Sequence, residues 1–109
     1  MKLTSKELEI MSVLWNSKIS LTASEIVEAS VGRTWKEGSI YIFLGMLEKK
    51  GAIAPSVMRP STTKSARTYK PTLTYEQYTV SYIRHTGITV DVHKLIEHLL
   101  ESEAAPEKG

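Results

Sequence analysis

A mainly α chain with one small β-hairpin is the fold class that three observations predict. Thr4-Ser-Lys-Glu7, Thr22-Ala-Ser-Glu25 and Thr74-Tyr-Glu-Gln77 each fit a capping box, in which the Thr hydroxyl accepts an orphan amide and the acid or amide side chain reaches back. Ile40, Leu44 and Leu47 fall in one narrow stripe on a helical wheel, with Phe43 on its shoulder. Residues 52–58 and 66–70 are strand-forming segments on either side of Arg59-Pro-Ser-Thr-Thr-Lys-Ser, a polar linker without helix formers.

In chain order, the first capping box opens a helix over residues 5–16, with Leu8, Met11, Leu14 and Trp15 at helical spacing. Residues 19–21 read as a short extended connector. The second box opens a two-turn helix that turns Ile26 and Val27 inward, and Gly32 closes the turn after it. The third helix follows Thr34, covers about residues 36–50, and stops where Lys49 and Lys50 suit the negative end of the dipole and Gly51 follows. Pro71 ends the second strand. The third box starts a helix with Tyr78, Tyr82 and Ile83 on one side, stopping near Gly87, and Thr89 is expected to cap a last helix. Helix two, turn, helix three and hairpin make a winged helix-turn-helix, followed by C-terminal dimerisation helices. The predicted division is a winged-helix domain over 1–73, a helical dimerisation region over 74–102 and a flexible tail over 103–109.

With 109 residues, 41% hydrophobic and 24% charged, the chain has the size and balance of one ordinary compact domain. No apolar run approaches the roughly 20 residues that span a bilayer. The first ten residues carry acids and lack an apolar core, unlike a signal peptide. There is no cysteine, which excludes disulfides and thiolate chemistry and fits the reducing cytoplasm, the expected location. No His-Glu-x-x-His pair, Gly-x-Ser-x-Gly elbow or phosphate-cradling glycine loop occurs, so a non-enzyme without cofactor or metal is expected. His93 and His98 are five residues apart and share a helix face poorly. Trp15 and Trp35 read as core anchors.

The net charge of +2 says little, but its distribution is uneven. Residues 52–75 hold Arg59, Lys64, Arg67 and Lys70 with no acid, whereas residues 76–109 hold three basic and six acidic side chains. A basic hairpin suits a phosphate backbone. Arg59, Lys64 and Arg67, with the hydroxyls of Ser61, Thr62 and Thr63, are its candidate contacts. Lys36, Thr22 and Ser24 stand where helix starts add positive potential. Contacts of this kind weaken as salt rises and do not depend on base sequence, so Arg67→Ala is expected to lower affinity for all duplexes alike.

Leu3-Thr4, residues 7–11, Val13-Leu14-Trp15, Glu25-Ile26-Val27, Trp35, Ile40, Leu44, residues 47–51, Tyr69 with Pro71, and Tyr78 together resemble the penicillinase repressor family. The resemblance covers roughly residues 3–80. It implies a dimeric winged-helix repressor whose N-terminal domain binds operator DNA, in a family many members of which control β-lactam resistance genes. Three departures from the family pattern stand out. On the outer face of the third helix, where family members carry polar and basic side chains, this chain has Gly38, Tyr41, Ile42, Gly45 and Met46, with Lys49 the cation among them. Base-edge reading rests mainly on Arg, Lys, Asn and Gln. Gly45 costs a helix about 1 kcal/mol relative to Ala, which points to a close backbone approach. The sole Asn and Phe, Asn16 and Phe43, do not form the Asn-Phe step at which a sensor protease cuts β-lactam-responsive members. The absence of cysteine excludes the thiolate copper sensing of other relatives.

In the last helix Val92, Leu95, Ile96, Leu99 and Leu100 make an apolar face large for one small domain to cover. The alternatives are folding back onto helix one and two-fold pairing. Pairing is preferred because it aligns two reading heads on a palindromic site. The expected partners are therefore a second copy, through Tyr82, Ile83, Val92, Leu95, Ile96, Leu99 and Leu100, and double-stranded operator DNA. DNA is expected to meet Thr22, Ser24, Lys36, Ser39, Tyr41, Ile42, Gly45, Met46, Lys49, Arg59, Lys64 and Arg67. No membrane partner is expected. The alternative is a winged-helix interaction module that holds another protein on the apolar face of the third helix.

Overall fold

The computed structural model describes residues 1–60 and 65–104. Ser61, Thr62, Thr63 and Lys64, and residues 105–109 of the expected tail, lie outside the described residues. The element order is α1 (Ser5–Trp15), β1 (Leu21–Thr22), α2 (Ala23–Ala29), a 3-10 turn (Glu37–Ser39), α3 (Ile40–Lys50), β2 (Ile53–Pro60), β3 (Ser65–Pro71), α4 (Tyr75–Thr86) and α5 (Val92–Ala104). This is the winged helix-turn-helix architecture with two helices after the wing. None of the described helices is long and apolar enough to cross a membrane.

All three capping boxes form, on α1, α2 and α4, with both reciprocal hydrogen bonds in each. The third helix begins later than a continuous helix from Lys36 would. Lys36 is the extended residue before a 3-10 turn, and α geometry starts at Ile40. Thr34 does not cap it, because its hydroxyl and amide donate to the Glu9 carboxylate at 2.6 and 3.1 Å. At the other end Gly51 takes φ 80°, the left-handed conformation that a side chain resists. The last helix corrects the expected cap. Asp91, not Thr89, holds its first turn, since Asp91 Oδ1 accepts the Lys94 amide at 3.1 Å.

The core lies where α1, α2 and α3 meet. Ile10, Met11, Leu14, Ile26, Leu44 and Leu47 are fully or almost fully buried, each contributing about 1.5–3 kcal/mol. The predicted stripe of Ile40, Leu44 and Leu47 faces this core, and Trp35 is buried beside it, edge-on to Phe43 at 6.0 Å. Trp15 anchors the C-terminal side of the domain. Its Nε1 donates to the Leu73 carbonyl at 2.9 Å, and its ring packs on Tyr75 and Tyr78.

The sheet has three strands in the order β1-β3-β2, all antiparallel, so the connector before α2 joins the wing as a third strand. Leu21 pairs with Tyr69 and Thr22 with Thr68. β2 is an edge strand, which tolerates Pro55 in its interior because no neighbour needs that amide. Between Pro55 and Met58 the β2 register slips by one residue against β3, a bulge that frees two carbonyls from the ladder. The side chains of β3 recapture them. Arg67 Nη1 donates to the Ser56 carbonyl at 2.8 Å and Thr68 Oγ1 to the Val57 carbonyl at 2.5 Å.

No described core residue comes from α5. Val92, Ile96, Leu99 and Leu100 are exposed and Leu95 is half-buried, so within one chain this stripe is not folded against α1.

Candidate nucleic-acid interface

The outer surface of α3 is built by default. With Ile40, Leu44 and Leu47 turned to the core, helical geometry sends Tyr41, Ile42, Gly45, Met46 and Lys49 to the opposite side. Tyr41 and Ile42 are 67% and 65% exposed and Met46 42%. Gly45, Lys36 and Lys49 are exposed, and Ser39 is half-buried at the start of the helix. A Cβ placed on Gly38 or Gly45 would meet nothing within 4 Å. Among the described residues nothing therefore requires glycine at either position, and the open backbone of Gly45 faces outward.

The turn that sets the angle of α3 against α2 is tied down at several points. Arg33 donates from its amide to the Ser30 carbonyl at 3.2 Å and from Nη1 to the Val27 carbonyl at 3.4 Å. Its guanidinium also lies over the Trp35 ring, 5.5 Å from the centroid. The Thr34 hydroxyl and, to a smaller extent, the Thr34 amide hold the Glu9 carboxyl below its usual range and join the turn to α1.

The wing arginines differ in placement. Arg67 is exposed, and its one described hydrogen bond, to Ser56, fixes the direction of the guanidinium while leaving the rest of its fork to solvent. Arg59, expected on the DNA backbone, is half-buried and turned toward the helix-turn-helix. Its Nη2 donates to the Ser20 carbonyl at 2.7 Å and to Glu25 Oε1. Thr22 and Ser24 flank the same point. The Thr22 amide and hydroxyl are both engaged in the capping box with Glu25, whereas Ser24 is exposed. The backbone hydrogen bond from Thr22 is the largest single influence on the Glu25 carboxyl, and with the Arg59 charge it outweighs desolvation and keeps the group below its usual range.

Two residues of this framework were not singled out as site residues from the sequence. Glu25 was visible as the third residue of a capping box, but its partner lies 34 positions away. Tyr69 stands on β3 with its phenol pushed up chiefly by burial, then by Glu48 and Tyr41 of α3, so it marks where the wing meets the flank of the helix. Its pairing with Pro71 in the sequence motif was the available signal.

An α2-turn-α3 unit with an exposed α3 face, flanked by a bulged two-stranded wing, defines a winged-helix regulator. The family model for the penicillinase repressor matches residues 3–108, and the chain belongs to that family of DNA-binding transcription regulators. Among solved structures, it is similar to a PadR family transcription regulator from hypervirulent Clostridium difficile R20291, with a TM-score of 0.52 and 20% identity over 94% of this chain and 100% of that one. It is also similar to the Helicobacter pylori ferric uptake regulator Fur, with a TM-score of 0.51 and 19% identity over 84% of this chain and 73% of that one. At these identities the two likenesses bear on the fold. Comparison with curated proteins finds no match.

Proposed function

We propose that this regulator is a homodimeric repressor that binds a pseudo-palindromic operator. In this reading α3 lies in the major groove and the wing beside the phosphate backbone. The observation that carries the proposal is the outer face of α3, where Tyr41, Ile42, Gly45, Met46 and Lys49 are exposed among the described residues. Ile42 and Met46 suit thymine methyls, while Tyr41 and Ser39 suit hydrogen bonding to phosphate or base. Lys36, Lys49 and Arg67 supply charge to the backbone, and Ser24 adds a neutral hydroxyl donor. Family membership supports control of antibiotic-resistance genes as the setting.

The exposed apolar face of α5, with Tyr82 and Ile83 on α4, supports the dimer. Ile96, Leu99 and Leu100 are 47%, 58% and 58% exposed in the single chain, and pairing removes this surface from water. An Ile96→Asp, Leu99→Asp double substitution is expected to convert the dimer to monomer in sedimentation. The same variant should lower duplex affinity at least tenfold, because each monomer engages one half-site. A double variant that stays dimeric, or a wild-type chain that sediments as a monomer at micromolar concentration, would contradict the proposal.

A second reading is favoured by one observation, the exposure of Tyr41 and Ile42 where polar base readers are expected. In it, the same face holds another protein. A Tyr41→Ala, Ile42→Ala variant separates the two readings: loss of duplex binding supports the first, and retention of full duplex binding supports the second.

A further inference from the structure

We infer that Arg59 is a positioning residue that latches the wing to the start of α2, rather than a contact to DNA phosphate. Its consequence for affinity rests on the DNA-binding reading above, but the latch itself does not. The wing needs such an anchor. β1 supports β3 at Thr68 and Tyr69 only, so the outer part of the hairpin, where Arg59 pairs with Ala66 and Pro60 with Ser65, has two strands. A two-stranded ribbon is marginally stable in water by itself. Arg59 sits on this outer part, and its Nη2 reaches both the Ser20 carbonyl before β1 and the Glu25 carboxylate in the first turn of α2.

The arrangement is a closed circuit. Glu25 Oε1 accepts from the Thr22 amide at 2.8 Å and from Arg59, and Thr22 Oγ1 accepts from the Glu25 amide at 3.2 Å. One carboxylate thus caps α2 and holds the wing. The Arg59 side chain is 32% exposed and Glu25 38%, so the pair is partly shielded, and its hydrogen bonds are charge-assisted. The Arg59 charge is compensated by Glu25 before any nucleic acid arrives. Arg67, exposed on β3, has no acid within salt-bridge distance among the described residues and keeps the role of backbone contact.

The test uses the full chain in two measurements. In the first, amide hydrogen exchange is followed in the free protein for wild type, Arg59→Ala, Glu25→Gln and the double variant. Glutamine retains an oxygen to accept the Thr22 amide but loses the charge. The latch predicts that amides of β2 and β3 near Arg59 exchange about tenfold faster in either single variant, with α1 and α3 unchanged and no further gain in the double variant. Wing exchange unaltered in both single variants would overturn it. If Arg59→Ala unfolds the domain, Glu25→Gln decides.

In the second measurement, affinity for a duplex of mixed sequence is followed against salt. The latch predicts weaker binding by Arg59→Ala with the salt slope of wild type. A slope reduced by about 0.9, the signature of one lost phosphate contact, would overturn it. Failure of the wild-type chain to bind any duplex would remove the DNA-binding reading, and the exchange result alone would then settle the latch.

Discussion

Lys50→Ala is expected to destabilise the fold by about 3 kcal/mol, because it leaves the Glu7 carboxylate buried without its counter-charge. Glu7 has no exposed surface, Lys50 Nζ donates to its Oε1 at 2.6 Å, and the Thr4 amide donates to the same oxygen at 2.8 Å. Glu7 Oε2 is buried with no hydrogen-bond partner among the described residues, so the site has no slack with which to absorb a lost cation. Lys50 also donates to the Lys2 carbonyl at 3.3 Å, which ties the end of α3 to the N-terminus. Removing the other partner by Glu7→Ala is expected to cost about 3–5 kcal/mol, since it leaves a void and opens the first capping box as well. Urea unfolding monitored by circular dichroism measures both, and losses below about 1 kcal/mol would show that this pair does not hold α3 to α1.

The same pair sets an acid limit. Burial, the largest single influence on Glu7, pushes its carboxyl up, but Lys50 and the Thr4 backbone and side chain together outweigh it and hold the group below its ordinary value of 4.5. A carboxyl with a lowered folded-state pKa contributes stability above its unfolded value and loses that contribution as pH falls through the folded one. Stability is therefore expected to fall as pH drops below 4.5, and Glu7→Gln is expected to flatten that dependence. Glu9 and Glu25 shift in the same direction.

Gly45 separates stability from binding. A Cβ there meets no atom of the described residues within 4 Å, so Gly45→Ala is expected to stabilise α3 by about 0.5–1 kcal/mol. Gly45→Glu is also expected to fold. On the DNA-binding reading, however, its carboxylate points into a surface that approaches phosphates, where facing like charges cost several kcal/mol. Duplex affinity is expected to fall at least a hundredfold in Gly45→Glu, with a thermal midpoint no lower than that of wild type. Equal affinity of the glutamate variant and wild type would remove α3 from the interface.

What could be read from the sequence was mostly local. A capping box is set by two residues three positions apart, and all three of those predicted form. The apolar stripe of α3 was legible because its period belongs to one helix, and its outer face followed by elimination. Longer-range facts were not legible. A two-residue strand has no periodicity, so nothing announced that Leu21 and Thr22 pair with Tyr69 and Thr68 across the chain. Thr89 and Asp91 are equally competent caps, and the choice of Asp91 depends on where the chain enters α5. Charge counting placed Arg59 correctly in a basic hairpin but carried no information on its direction, which Glu25 and the Ser20 carbonyl decide. For the same reason Glu7 was legible as a cap residue and not as a buried ion.

In the proposed repressor, paired α3 helices read DNA. Selection of duplexes from a random-sequence pool by the wild-type chain measures this. The predicted result is enrichment of two inverted half-sites with centres about 10 base pairs apart, or a multiple of that spacing. Recovery of a pool with no enriched sequence, or of a lone half-site without its inverted repeat, would contradict it.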